Sequence, residues 1–135
     1  MSDTQFEDFR NDLEHYRVVP VIREVFNDLE TPVGIYRRVA HGRPGSFLLE
    51  SAAGGIWSDY SFIGVNVFGV LWADGKTSHW NAVSLNAERA FAGQDPQTLE
   101  PFAALSALYS AWKSPKNPDH PPLTGGLVGF MGWES

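Results

Sequence analysis

Cysteine is absent from these 135 residues, which excludes a disulfide scaffold and any thiolate metal site. Long apolar runs are missing too. No stretch approaches the roughly 20 residues needed to span a bilayer, and the N-terminus, MSDTQFEDFRND, is acidic and polar rather than a signal peptide. Positive charge is scarce: 10 Lys and Arg against 16 Asp and Glu give a formal net charge of -6. With no basic cluster to offset it, a nucleic-acid surface is excluded. Common catalytic signatures are lacking as well. There is no G-x-S-x-G, P-loop, H-E-x-x-H or dinucleotide fingerprint, and the scattered carboxylates form no local acid/base dyad. What these absences leave is a soluble, cytoplasmic protein with neither a membrane nor a nucleic-acid partner.

What is present suffices for a core. Hydrophobic residues make up 43% and aromatics 13% of the chain, which argues against intrinsic disorder. The length suits one domain burying roughly two-thirds of its unfolded surface. Thr4-x-x-Glu7 reads as a capping box, predicting a helix over residues 5–15 with Phe6, Phe9, Leu13 and Tyr16 on its core face. Arg17 to Ile22 is β-branched with a proline inside, hence an edge strand or extended segment. Thr31-Pro32 predicts a helix start, with threonine as N-cap and proline where its missing N–H costs nothing. That helix runs over residues 32–40, burying Val33, Ile35, Tyr36 and Val39, and stops before His41-Gly42.

Further on, residues 60–72 read as one strand, and Asp74-Gly75 turns the chain into a second over residues 77–83. His79 has no second ligand at metal-binding spacing and reads as a surface or cross-strand histidine. Thr98 caps a helix over 99–112 with Phe102, Leu105, Tyr109 and Trp112 on one face. Ser114 to Pro122 is an exposed, proline-rich loop. A last strand is expected over 124–133, its glycines packed closely against a neighbour. The class is therefore α+β: an antiparallel β-sheet with packed helices.

The most informative stretch is Ser46 to Gly64, SFLLESAAGGIWSDYSFIG. Phe47-Leu48-Leu49 reads as a strand buried on both faces. Glu50 and Ser51 follow, then the small-residue turn Ala52-Ala53-Gly54-Gly55. A carboxylate and a hydroxyl at a strand end suit a small cationic ligand, and serve equally to cap a turn.

LLES, a glycine turn and W-x-x-Y-S-F-I-G together resemble the N-terminal region of anthranilate synthase component I, a chorismate-utilising enzyme of tryptophan biosynthesis. Thr31-Pro32-Val33-Gly34-Ile35-Tyr36, Arg43-Pro44-Gly45 and Thr124-Gly125-Gly126-Leu127-Val128-Gly129-Phe130-Met131-Gly132-Trp133 resemble further segments of that family in the same order. The resemblance implies that residues 1–135 are the N-terminal, regulatory part of a longer enzyme whose catalytic C-terminal domain is absent. It implies an L-tryptophan feedback pocket in which Glu50 pairs with the amino acid's ammonium and Ser51 offers its hydroxyl or amide. Leu49, Ala52, Pro32 and Tyr60 line it. No catalytic residue falls in this chain, which alone should be inactive, and no cofactor is expected in it. The full-length lyase would use Mg2+ and take ammonia from a glutamine amidotransferase subunit (component II). Exposed strand edges favour a homodimer. Where many relatives carry arginine before Y-S-F-I-G, this chain has Asp59, reversing a charge close to the pocket. Two rival readings are the sister enzyme aminodeoxychorismate synthase component I and a free-standing binding module with tryptophans lining a carbohydrate groove.

Overall fold

The computed structural model describes residues 3–26, 28–50, 60–84 and 89–132. In chain order these form α1 (Asp3–His15), α2 (Pro32–Ala40), β1 (Phe47–Glu50), β2 (Ser61–Gly64), β3 (Gly69–Asp74), β4 (Thr77–Ala82), a 3-10 turn (Pro96–Thr98) and α3 (Pro101–Ala111). The strands make two two-stranded sheets, β1-β2 and β3-β4. The class is α+β, as the sequence pattern indicates. The chain divides into two compact units, one of Met1–Arg23, Leu71–Trp80 and Arg89–Ser135, the other of Glu24–Val70 and Asn81–Glu88.

The Glu24–Val70 unit carries α2, β1 and β2. Thr31 sits in extended conformation and its Oγ1 accepts from the Gly34 amide at 3.1 Å, satisfying one of the helix's free N–H groups. Pro32 occupies the first helical position, and His41, left-handed at φ 39°, ends the helix. The expected boundaries hold at both ends. Helix α2 packs on β1 and β2 and buries Ala40, whereas Val33 and Val39 remain largely exposed. Arg38 reaches Glu30 at 2.6 Å; so exposed an ion pair contributes about 0–1 kcal/mol.

The other unit is built on a small core of Ala90, Phe91, Ala104 and Leu108, flanked by Leu71, Trp80, Leu99, Ala107 and Trp112. Trp80 meets Phe91 edge-to-face at 5.5 Å. Three polar ties hold the surrounding loops: Ser78 Oγ donates to the Leu99 carbonyl at 2.9 Å, Trp112 Nε1 to Ala90 at 3.1 Å, and Arg17 Nη2 to Arg89 at 2.9 Å.

Several sequence expectations give way. Helix α1 begins at Asp3, so Thr4 lies inside its first turn and is not the N-cap. Its stripe is only half covered, with Phe6 47% and Leu13 49% exposed. Helix α3 starts at Pro101 after a separate 3-10 turn in which Asp95, not Thr98, is the cap. It buries Ala104 and Leu108 and leaves Phe102 and Tyr109 outside, because the face that meets the Ala90 and Phe91 core is the one carrying Ala104 and Leu108. The single strand expected over 60–72 is broken between Gly64 and Gly69, because Asn66 adopts a left-handed φ of 56°. No strand forms over residues 124–132, the described part of the strand expected there. A Cβ added at Gly125, Gly126 or Gly129 would meet nothing within 4 Å, so these glycines are not close-packed. The β3-β4 turn is Gly75-Lys76, one residue later than expected, with Gly75 at φ 59°. His79 stacks on Trp72 at 4.1 Å, the cross-strand role expected of it.

Candidate functional site

Strand β1 ends at Glu50, and its register with β2 fixes what surrounds that carboxylate. The antiparallel pairs are Phe47 with Gly64, Leu48 with Ile63, Leu49 with Phe62 and Glu50 with Ser61. Side chains alternate along each strand, so Glu50 shares a face with Leu48, Ser61 and Ile63. Phe47, Leu49 and Phe62 share the other. Tyr60 joins that second group, its ring stacked on Phe62 at 5.9 Å and 19°. Leu49 and Tyr60 are 43% and 42% exposed, so the strand is not buried on both faces as its hydrophobic run suggested.

The predicted ligand residues thus fall into two groups. Leu49 and Tyr60 make an exposed apolar patch, and Glu50 lies exposed across the ribbon from it. No ion pair links Glu50 to another described residue, leaving the carboxylate accessible to a cationic ligand. Pro32 is half-buried at the first turn of α2, the helix that packs on these strands. Ser51 and Ala52, together with Asp59, lie outside the described residues.

Sequence reasoning overlooked the far end of the ribbon. Arg43 Nη1 donates to Asn66 Oδ1 at 2.6 Å, and the Phe47 ring occupies the space above Gly64, where a Cβ would come within 2.0 Å of it. Asparagine tolerates the left-handed region more readily than most residues; that was the available signal for Asn66. Two shallow concavities, one along α3 with Phe91 and Leu99, the other between Asp8, Asp12, Pro20, Lys116 and His120, contain none of the predicted site residues.

No family model matches the chain, and no solved structure does so. Curated proteins do. The chain is 40% identical over 134 residues to anthranilate synthase component 1 of Arthrobacter globiformis, covering 96% of this chain and 23% of that protein. Identity to anthranilate synthase component 1 of Mycolicibacterium smegmatis is 42% over 132 residues, 97% of this chain and 24% of the relative. The Neisseria meningitidis serogroup B protein of the same name is 36% identical over 121 residues, 89% of this chain and 23% of its own. Over nearly its whole length the chain is similar to proteins of the anthranilate synthase component 1 family, the family its motifs resemble. It spans about a quarter of the length of the curated family members it matches. In family terms, the LLES segment is β1 with the residue that follows it, and Y-S-F-I-G is Tyr60 with β2.

Proposed function

We propose that this chain is the N-terminal, regulatory region of an anthranilate synthase component I. Carried by the complete protein, it would take part in converting chorismate and ammonia to anthranilate and pyruvate, the ammonia being supplied from glutamine by a component II amidotransferase. The observation that carries this reading is the 36–42% identity to proteins of that name over 89–97% of the chain. The reaction chemistry is assigned to the part of the enzyme outside these residues, so the chain alone should form no anthranilate. The magnesium expected of the full-length enzyme is assigned to that part as well. Among the described residues no helix is long and apolar enough to cross a membrane.

The role of this region is to hold L-tryptophan as a feedback inhibitor. Glu50, accessible at the end of β1, pairs with the ligand's ammonium; a charge-assisted bond of this kind is roughly twice as strong as a neutral one. Ser51 contributes a hydroxyl or backbone amide. Leu49 and Tyr60 offer apolar surface, with Ala52 and Pro32 completing this side of the pocket. Tryptophan then acts by favouring one arrangement of the enzyme over another, a coupling that runs through differential affinity for the two. Replacing Glu50 by Gln in the complete enzyme removes the ammonium's counter-charge. The expected result is a loss of tryptophan sensitivity of about tenfold or more, with kcat/KM for chorismate unchanged. Unaltered inhibition in the Glu50→Gln enzyme would overturn the assignment.

A further inference from the structure

The ribbon that carries Glu50 is four residue pairs long. Two-stranded ribbons of this size are marginal by themselves, and a slip of one residue transfers every side chain to the opposite face. A slipped β1 would turn Glu50 to the face that carries Tyr60 and Phe62. Something must therefore hold the register, and the contacts that do so cluster at the end remote from Glu50.

Three of them cross between the chain entering β1 and the chain leaving β2. Phe47 lies over Gly64, so close that a Cβ there would stand 2.0 Å from the ring. Gly45, at φ 73°, approaches Val67 so closely that a Cβ would be 2.6 Å from its Cγ2. Arg43 donates to Asn66 at 2.6 Å. The entering turn is itself tied down: Arg43 N donates to Ala40 O at 2.7 Å, Ser46 Oγ to Arg43 O at 2.7 Å, and Tyr36 Oη lies 3.4 Å from Ser46 Oγ. Helix α2 thus anchors the segment from which Arg43 reaches out.

We propose that Arg43 and Asn66 are positioning residues for Glu50, locking the β1-β2 register from the opposite end of the ribbon. Their functional significance rests on the reading of Glu50 as a tryptophan contact, but the lock is a separate, directly measurable property. Asn66 suits this task doubly, since its amide oxygen accepts from the guanidinium and its backbone turns the chain at a left-handed φ of 56°. A one-residue slip would break this hydrogen bond along with the ladder. If the pair merely capped a surface turn, losing it would lower stability without changing which residue faces which.

The test uses the 135-residue chain with L-tryptophan as probe. Asn66→Gly keeps the left-handed backbone and deletes only the acceptor; Asn66→Asp keeps an acceptor and serves as rescue. Cross-strand NOEs for the Leu49–Phe62 and Glu50–Ser61 pairs report register, and dispersed signals from α2, which packs on the same two strands, report that this unit of each variant is folded. Asn66→Gly is expected to lose those NOEs and to bind tryptophan about threefold to tenfold more weakly, in line with removal of one hydrogen bond to a charged group, and Asn66→Asp to restore both. Wild-type NOEs in Asn66→Gly overturn the lock, whatever tryptophan does. Loss of the NOEs in Asn66→Gly, with tryptophan bound equally well by Glu50→Gln, supports the lock and overturns the inhibitor reading.

Discussion

At the scale of single residues, two positions combine small size with a structural task. Gly64 makes room for the Phe47 ring, so Gly64→Ala must push that ring aside and is expected to cost about 1–3 kcal/mol, as overpacking does. Chemical denaturation of the purified chain measures it. Ser78 is fully buried and its hydroxyl donates to the Leu99 carbonyl. Ser78→Ala leaves that carbonyl without its partner, with an expected loss of about 1–3 kcal/mol; a melting curve at the variant's wild-type midpoint would expose an error. Glu50 was legible as a candidate because a carboxylate follows an apolar run. Ser78 was not, since a serine in T-S-H-W carries no pattern that separates a buried hydroxyl from an exposed one.

Elements differ in how much of their placement is local. The start of α2 is read directly from Thr31-Pro32, because capping involves only the first turn's own amides. Thr31→Ala should therefore cost about 0.5–2 kcal/mol, with Thr31→Ser near wild type, both measurable by thermal unfolding followed by circular dichroism. Helix α3 shows the converse. Its aromatic spacing suggested that Phe102 and Tyr109 point inward, yet Leu108 is 1% exposed while both aromatics are 62% exposed. Leu108→Ala is expected to destabilise by about 2–5 kcal/mol, and Phe102→Ser far less; a reversed order would restore the aromatic face as the buried one.

For the molecule as a whole, the assignment to one region of an enzyme makes an expectation about activity. The 135-residue chain, supplied with chorismate, ammonia and magnesium, should yield no anthranilate above background, measured by product fluorescence. The edges of two short sheets and large exposed hydrophobics such as Phe26, Leu29 and Phe130 favour pairing with a second copy. Sedimentation should show concentration-dependent dimerisation, and a clean monomer at high concentration would rule it out.

By itself the sequence determined the α+β class, both ends of α2, the β3-β4 hairpin to within one residue and the family resemblance, through LLES and its flanking motifs. Each of these rests on neighbours along the chain: a cap and its amides, a turn and its glycine, a motif and its spacing. Only the tertiary structure decided that Asn66 splits one expected strand into two, that α3 buries Ala104 and Leu108 rather than Phe102 and Tyr109, and that residues 124–132 form no strand. It also set Glu50 across the ribbon from Leu49 and Tyr60. Burial and strand pairing depend on partners brought in from distant parts of the chain, and a local pattern states only what a segment can do, never what comes to meet it.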